Sequence, residues 1–459
     1  MKDWQVNNGR ESGKQSKKEG SLYELDGRVP LKTAIPLGVQ HVLAMFVGNV
    51  SPLIIVCGLL GIAPEQKAIL MQNAMFIAGL VTLIQLYPIG GMGAKLPVVM
   101  GTSSGFLPTV KVAASTYGYG AVLGASLVGA LFEMILGFFI KPLRRLFPSV
   151  VTGVVVLSIG ISLIPTGISF LAGGVGAEDF ASPSNLFLGF LVMIIVIVLK
   201  QFTKGFLNNA YILVGIVVGY IVALFMGKID FSGVASASWV SIPKPFMFPL
   251  EFKLDVIIPM CVMYIATAVE TVGNISGITM GGMDREPTDK EFSGAVIADG
   301  FGSGIAACFG VLPNTSFSQN AGLVAMTKVV NRYTIMTGAV FLMIVGFFPK
   351  LSALVAAMPQ SVLGGATVIM FASIAVSGMQ LIFKENMSGR NGMIVAASLG
   401  LGLGLGNVPE ALMYLPSWIQ LLFGQSGIVV AFLVASFLNL VLPHDEEISE
   451  IDVQAKEVL

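Results

Sequence analysis

From position 34 to 443, apolar stretches long enough to cross a bilayer follow one another almost without pause. That one property excludes most ways a chain can fold. A helix needs about 20 mainly apolar residues to span the hydrocarbon layer. Such stretches fall near 34–60, 66–87, 119–140, 148–171, 185–200, 209–227, 254–276, 334–349, 361–383, 391–406 and 426–443. Three further regions, 90–112, 292–309 and 310–328, are apolar but interrupted by Gly, Pro and polar residues. Together they predict an all-α membrane protein with about 14 crossings. Composition agrees, with 55% of residues hydrophobic and 11% charged, against roughly 25% charged in soluble domains.

The 33 residues before the first span are polar and lack the apolar core and small-residue cleavage site of a signal peptide, so a cytoplasmic N-terminus is expected. With both termini inside and an even number of crossings, only Lys67, Lys111, Lys228, Lys244, Lys253 and Lys350 of the 26 Lys and Arg fall outside. The remainder, including Lys95, Lys141, Arg144, Arg145, Lys384 and Lys456, fall inside, as the positive-inside rule requires. The basic KQSKKEG run (14–20) reads as a solvated anchor. Net charge is zero, which gives no long-range attraction to nucleic acid. Cys57, Cys261 and Cys308 lie in apolar surroundings without metal-ligand spacing, so inert thiols and no metal are expected.

Ionisable groups inside a membrane are costly and mark function by default. Few occur within these spans: His41, Glu133, Glu270 and Asp299, with Gln40 and Asn274 as polar neighbours. Glu270 and Asn274 are four residues apart and share a helix face. A carboxylate there can accept hydrogen bonds from a ligand's N–H groups or exchange a proton, or it can simply join two helices. Asp299, in the Gly-rich GAVIADGFGSG, suits either ligand support or a tie to unwound backbone nearby. His41 can carry a proton or satisfy an interhelical hydrogen bond, and the second reading is the commoner one. Glu133, in GALFEMILG, has no polar neighbour within a turn and reads as a scaffold contact.

The stretch VLPNTSFSQN (311–320) is a poor helix opening, whereas AGLVAMTK (321–328) reads as helical. Irregular backbone is tolerated at membrane depth only where protein buries it or where it lines a cavity. An extended piece feeding a half-helix presents free N–H groups and a positive dipole end at the midplane. Gln319 and Asn320 sit at that junction and mark a binding site. KLPVVMGTSSGFLPTVK (95–111) is the counterpart in the first half, with Thr102, Ser103, Ser104 and Gly105 at the break. Interrupted segments at the third and tenth crossings imply two repeats of seven, the second inverted.

QNAGLVAMTK (319–328) resembles the signature of the nucleobase/ascorbate transporters, and the agreement extends to QHVLAMF (40–46), LPVVMGTS (96–103), VVTGVVVLSIGISL (150–163), AVETVGN (268–274), ADG (298–300) and PQSVLGGA (359–366). The likeness spans about 34–443. It implies 14 segments in a 7+7 inverted repeat, with short strands in segments 3 and 10. It also implies a core domain (34–147 and 254–350) that moves like an elevator against a gate domain (148–253 and 351–443). The cytoplasmic tails are then 1–33 and 444–459, in a plasma-membrane protein, often a homodimer. Carried over, Glu270 would bind a base's ring N–H groups and Gln319 its amide edge. Ser103, Ser104 and Ser318 would line the site, Asn320 would shape its selectivity, and Asp299, His41 and Asn274 would support it or its proton coupling, His41 through Ser103. Gln at 319 is similar to members carrying xanthine or uric acid, since one amide matches the adjacent N–H and C=O of an oxidised purine. Asn274 stands where some xanthine carriers have Asp, and Ser104 where several relatives have an aromatic residue.

The expected activity is therefore uptake of xanthine or uric acid by symport, with H+ as coupling ion and no cofactor. A uracil or broader nucleobase permease is the nearest alternative. An anion exchanger on the same fold is disfavoured because Glu270 would repel an anion unless protonated. An enzyme is not expected, with only two His, one of them His444 in the C-terminal flank, and no HExxH or GxSxG motif.

Overall fold

A computed structural model describes residues 21–140, 148–174, 177–204, 206–415, 423 and 427–443. The KQSKKEG run, Lys141, Arg144, Arg145, residues 444–459 with His444 and Lys456, and the start of the 426–443 span lie outside the described residues. Most expected spans become helices: α1 (Leu31–Leu59), α2 (Pro64–Leu86), α3 (Leu107–Tyr117), α4 (Tyr119–Phe138), α5 (Ser149–Leu171), α6 (Pro183–Phe202), α7 (Tyr211–Phe225) and α8 (Leu254–Ser276). There follow α9 (Asp289–Cys308), α10 (Ser318–Thr327), α11 (Arg332–Val345), α12 (Pro349–Ala356), α13 (Gln360–Ile382), α14 (Gly389–Asn407) and α15 (Gly427–Val441). Among the described residues, seven helices are long and apolar enough to cross a membrane by themselves: α1, α2, α4, α5, α6, α13, and α8 with its extension to Gly282. Shorter apolar helices include α7 and α15.

Lipid-facing surfaces are evident where apolar side chains recur at helical spacing on the outside. Phe187, Phe190, Ile194 and Ile197 of α6 are all exposed, an arrangement that is stable in hydrocarbon and not in water.

Two expectations change. The 292–309 region, read as interrupted, is the continuous helix α9. A capping box between Thr288 and Glu291 starts it, and its glycines are packing surfaces. A Cβ at Gly300 would lie 2.6 Å from Ala130 O and 2.7 Å from Met134 N of α4. The second change falls on 334–349, read as one span. The chain turns by 88° between α11 and α12, with Pro349 opening the new helix.

The close α4–α9 approach yields a test. Gly300→Leu forces the two backbones apart and is expected to cost about 1–3 kcal/mol, seen as a lower melting temperature in detergent. Gly304→Ala, whose Cβ would come no nearer than 3.7 Å to Ala130 Cβ, should leave it unchanged.

Near the middle of the molecule, β1 (Met100–Thr102) and β2 (Asn314–Ser316) pair antiparallel, Met100 opposite Ser316 and Thr102 opposite Asn314. Both strands are fully buried. Each leads at once into helix, β1 through a tight turn (Ser104–Phe106) into α3 and β2 into α10.

Candidate functional site

Three-residue strands cannot hold themselves together in an apolar interior, so polar side chains must satisfy the backbone around them. Asn49 of α1 accepts from Thr102 N at 2.8 Å, and Thr82 of α2 accepts from Met100 N at 2.9 Å. Ser303 of α9 both accepts from Asn314 N (3.0 Å) and donates to Asn314 O (3.1 Å). Four helices thus fix the crossing of the chain, counting α8 as the fourth. There Asn274 Nδ2 donates to Ser316 O at 3.0 Å and to Ser316 Oγ at 2.9 Å. Thr271 meets Ser316 Oγ at 2.9 Å and donates to the Asp299 carboxylate.

Asp299 is therefore linked through Thr271 to the Ser316 hydroxyl of β2. Gln85 Nε2 supports it with bonds to Ala295 O (3.0 Å) and Asp299 Oδ1 (3.5 Å). Asn320 donates to His41 O at 2.8 Å and lies 3.1 Å from His41 Nδ1. The expected link from His41 to Ser103 is not made; Ser103 Oγ instead accepts from Gly105 N at 3.2 Å and caps the turn ahead of α3. His41 and Asn320 consequently join α1 to α10 and are not in the cavity wall.

Ser103, Ser104, Glu270, Ser318 and Gln319 do come together. They line one small cavity of about 30 Å³, closed over by Phe317, Ile159 of α5, and Met370 and Ile374 of α13. Ser318 Oγ donates to Glu270 Oε1 at 3.2 Å. The Gln319 amide has no hydrogen-bond partner among the described residues. The N-terminal ends of two short helical pieces, one opening at Ser104 and the other at Ser318, both border this space.

A second cavity of about 230 Å³ shares Glu270 and Ser318 and runs past Asn274 to Gln380 and Lys384 of α13. Gly277 and Gly322 line it, and a Cβ at either would meet nothing within 4 Å. These two glycines keep the space open, whereas those of α9 bring helices together. Past Ser276 the backbone of α8 widens into a π-helical turn, Gly277–Gly282, a feature common beside functional sites.

Several contributors escaped sequence reasoning. Thr271 adjoins Glu270, whereas Asn49, Thr82, Gln85 and Ser303 are uncharged polar side chains in helices where nothing in the sequence sets them apart from ordinary helix-packing residues. Phe317 lies on the cavity wall with its ring wedged against Gly48 and Gly101, whose Cβ positions would fall 2.4 and 2.6 Å from it. It supplies an aromatic surface that Ser104 does not. Glu133 is buried and accepts from Thr267 Oγ1 at 3.2 Å, a tie between α4 and α8.

The sequence of a permease family matches over residues 32–411. The chain is 36% identical over 424 residues to the xanthine permease of Bacillus subtilis, covering 92% of this chain and 96% of that one. It is 37% identical to the uric acid permease PucK of the same organism, covering 88% and 94%. To the xanthine permease XanP of Escherichia coli K12 it is 30% identical, covering 94% and 97%. Among solved structures, the transmembrane domain of the cyanobacterial bicarbonate transporter BicA superposes with a TM-score of 0.56 at 14% identity, covering 89% of this chain and 97% of that one. The murine anion transporter Slc26a9 in its inward-facing state gives 0.57 at 12% identity, covering 87% and 68%. At such identities the likeness concerns the fold alone. This multi-pass membrane protein belongs to the permease family of nucleobase/ascorbate transporters.

Proposed function

We propose that the chain takes up oxidised purines, xanthine or uric acid, by proton symport. The observation that carries this reading is the pairing of Glu270, a carboxylate, with the uncommitted amide of Gln319 on one cavity wall. A carboxylate accepts from ring N–H groups, and an amide matches an adjacent N–H and C=O. The relatives named above are xanthine and uric acid permeases, which supports the same substrate class.

A space of about 30 Å³ has the volume of about one water molecule, so a purine ring needs movement of α13 or the adjoining 230 Å³ cavity. We take 34–147 and 254–350 as the core and 148–253 and 351–443 as the gate, with 14 segments in a 7+7 inverted repeat. The matching order of strand, short helix at 100–117 and 314–327 supports the repeat. Elevator motion of the core would then expose Glu270 to either side. The protein would act as a homodimer in the plasma membrane, with both termini cytoplasmic. Binding of purine and proton at one carboxylate couples them, and for a neutral purine the one charge crossing 100 mV supplies about 2.3 kcal/mol, roughly 50-fold in concentration.

Uptake of radiolabelled xanthine and uric acid into expressing cells tests this. Saturable uptake that collapses with a protonophore is expected, and competition by unlabelled uracil or hypoxanthine should be weak. Protonophore-insensitive uptake overturns the coupling, and uptake of uracil alone overturns the substrate.

A further inference from the structure

A third cavity, of about 530 Å³, opens between the C-terminal end of α1 and the start of α13, lined by Cys57, Gly58, Lys67, Lys228, Asp230 and Gln360 among others. It lies on the face that the charge bias assigns to the outside. Its volume is that of an ordinary small-molecule pocket. Gln360 and Met370 are ten residues apart on α13, and so are Gly58 and Gly48 on α1, which places this cavity about 15 Å along both helices from the central one. The 230 Å³ cavity continues along α13 on the far side, at Ser377, Gln380 and Lys384. Three spaces therefore follow one groove.

The charges in this outer space are unequal. Lys228 is neutralised, with Asp179 and Asn185 Oδ1 each 2.8 Å away. Asp230 is engaged by Ser232, through N at 2.8 Å and Oγ at 2.9 Å. Lys67 donates to Ala356 O at 2.7 Å and has no carboxylate partner among the described residues. Among the described residues its ammonium is the cavity's positive charge outside an ion pair, and the Asp230 carboxylate, held only by Ser232, is the matching negative one. Beside it the Gln360 side chain is seated between two glycines: a Cβ at Gly174 would fall 1.4 Å from Gln360 Oε1, and one at Gly58 would fall 3.0 Å from Gln360 Nε2. Neither end of that amide has a hydrogen-bond partner among the described residues, although the side chain lines the cavity.

We infer that this space is an antechamber that holds the monoanion of an oxidised purine before it reaches the central site. Lys67 supplies the counter-charge, and Gln360 reads an N–H and C=O edge as Gln319 does farther in. The inference rests on the purine-transport reading. A fixed ammonium in a cleft raises the local concentration of an anionic substrate and its capture rate, while the chemistry of coupling remains at Glu270.

The test is initial-rate uptake by the full chain in cells with matched surface expression, for wild type, Lys67→Met, Lys67→Arg and Gln360→Ala. Uric acid, a monoanion at neutral pH, is compared with xanthine at a pH where it is neutral. Lys67→Met is expected to raise KM for uric acid about fivefold to tenfold with Vmax held, to change neutral xanthine far less, and to be rescued by Lys67→Arg. Gln360→Ala should raise KM for both. An unchanged KM in Lys67→Met, an equal effect on the neutral substrate, or a loss confined to Vmax overturns the antechamber. Absence of wild-type uptake of either purine overturns the transport reading beneath it, and so separates the two failures.

Discussion

Glu270→Gln is expected to abolish accumulation of xanthine and uric acid, with initial uptake falling at least about 100-fold. A buried donor left without its acceptor costs about 1–3 kcal/mol, and two ring N–H groups that lose Glu270 together cover the roughly 2.7 kcal/mol that a factor of 100 represents. The substituted amide also turns an N–H group toward ligand donors and removes the carboxyl group that, among the described residues, is the one proton-exchanging group on the cavity wall. Folding should survive, because Ser318 Oγ, now 3.2 Å from Glu270 Oε1, can still donate to the Gln carbonyl. The measurement is uptake at matched expression, alongside the thermal shift that xanthine induces in the purified protein. Wild type should be stabilised by the ligand and the variant should not. Protonophore-sensitive uptake retained by Glu270→Gln would remove this residue from both binding and coupling.

Much of the site was legible because burial in lipid makes polar residues conspicuous. Glu270, Asn274, Asp299 and His41 stand out in apolar helices, and the break at 311–320 announces itself through Pro313 and a run of Asn, Thr and Ser. What could not be read was partnership. Asp299 reaches the strand through Thr271, and His41 is satisfied by Asn320, pairings that join residues far apart in sequence and depend on helix rotation. Glycine was the other ambiguity. In 292–309 it suggested interruption, yet Gly300 and Gly302 of α9 fit against Met134 and Val81, and the helix runs on unbroken. Gly277 and Gly322, with the same letter, line open space. Sequence shows that a small residue is needed but not whether a neighbouring backbone or a cavity requires it. The 88° turn after α11 likewise rests on one proline in an otherwise apolar stretch.

Gln319 offers the sharper separation of binding from architecture. Its neighbour Asn320 and Asn274 of α8 both spend their amides on the protein, on His41 and Ser316, so substituting either disturbs the packing of α10 or β2 as well as any ligand. Gln319 has no such commitment. Gln319→Ala is therefore expected to leave the stability of the ligand-free protein within about 0.5 kcal/mol of wild type, as for substitutions that break no buried contact. Uptake of xanthine should fall by about 10- to 100-fold, the loss of one or two ligand hydrogen bonds with their partners left unpaired. Gln319→Glu replaces the amide donor with a second acceptor, placing it on the same wall as Glu270. It should lose oxopurine uptake more completely, since an N–H donor facing the purine carbonyl becomes a carboxylate that repels it. Asn274→Ala is the contrast: it should lower stability by about 0.6–2 kcal/mol together with uptake. Melting curves and uptake kinetics on the three variants decide the matter. A Gln319→Ala protein that is destabilised as much as Asn274→Ala, or that transports xanthine with an unchanged KM, would mean that the amide serves the fold and that purine recognition lies elsewhere on the wall.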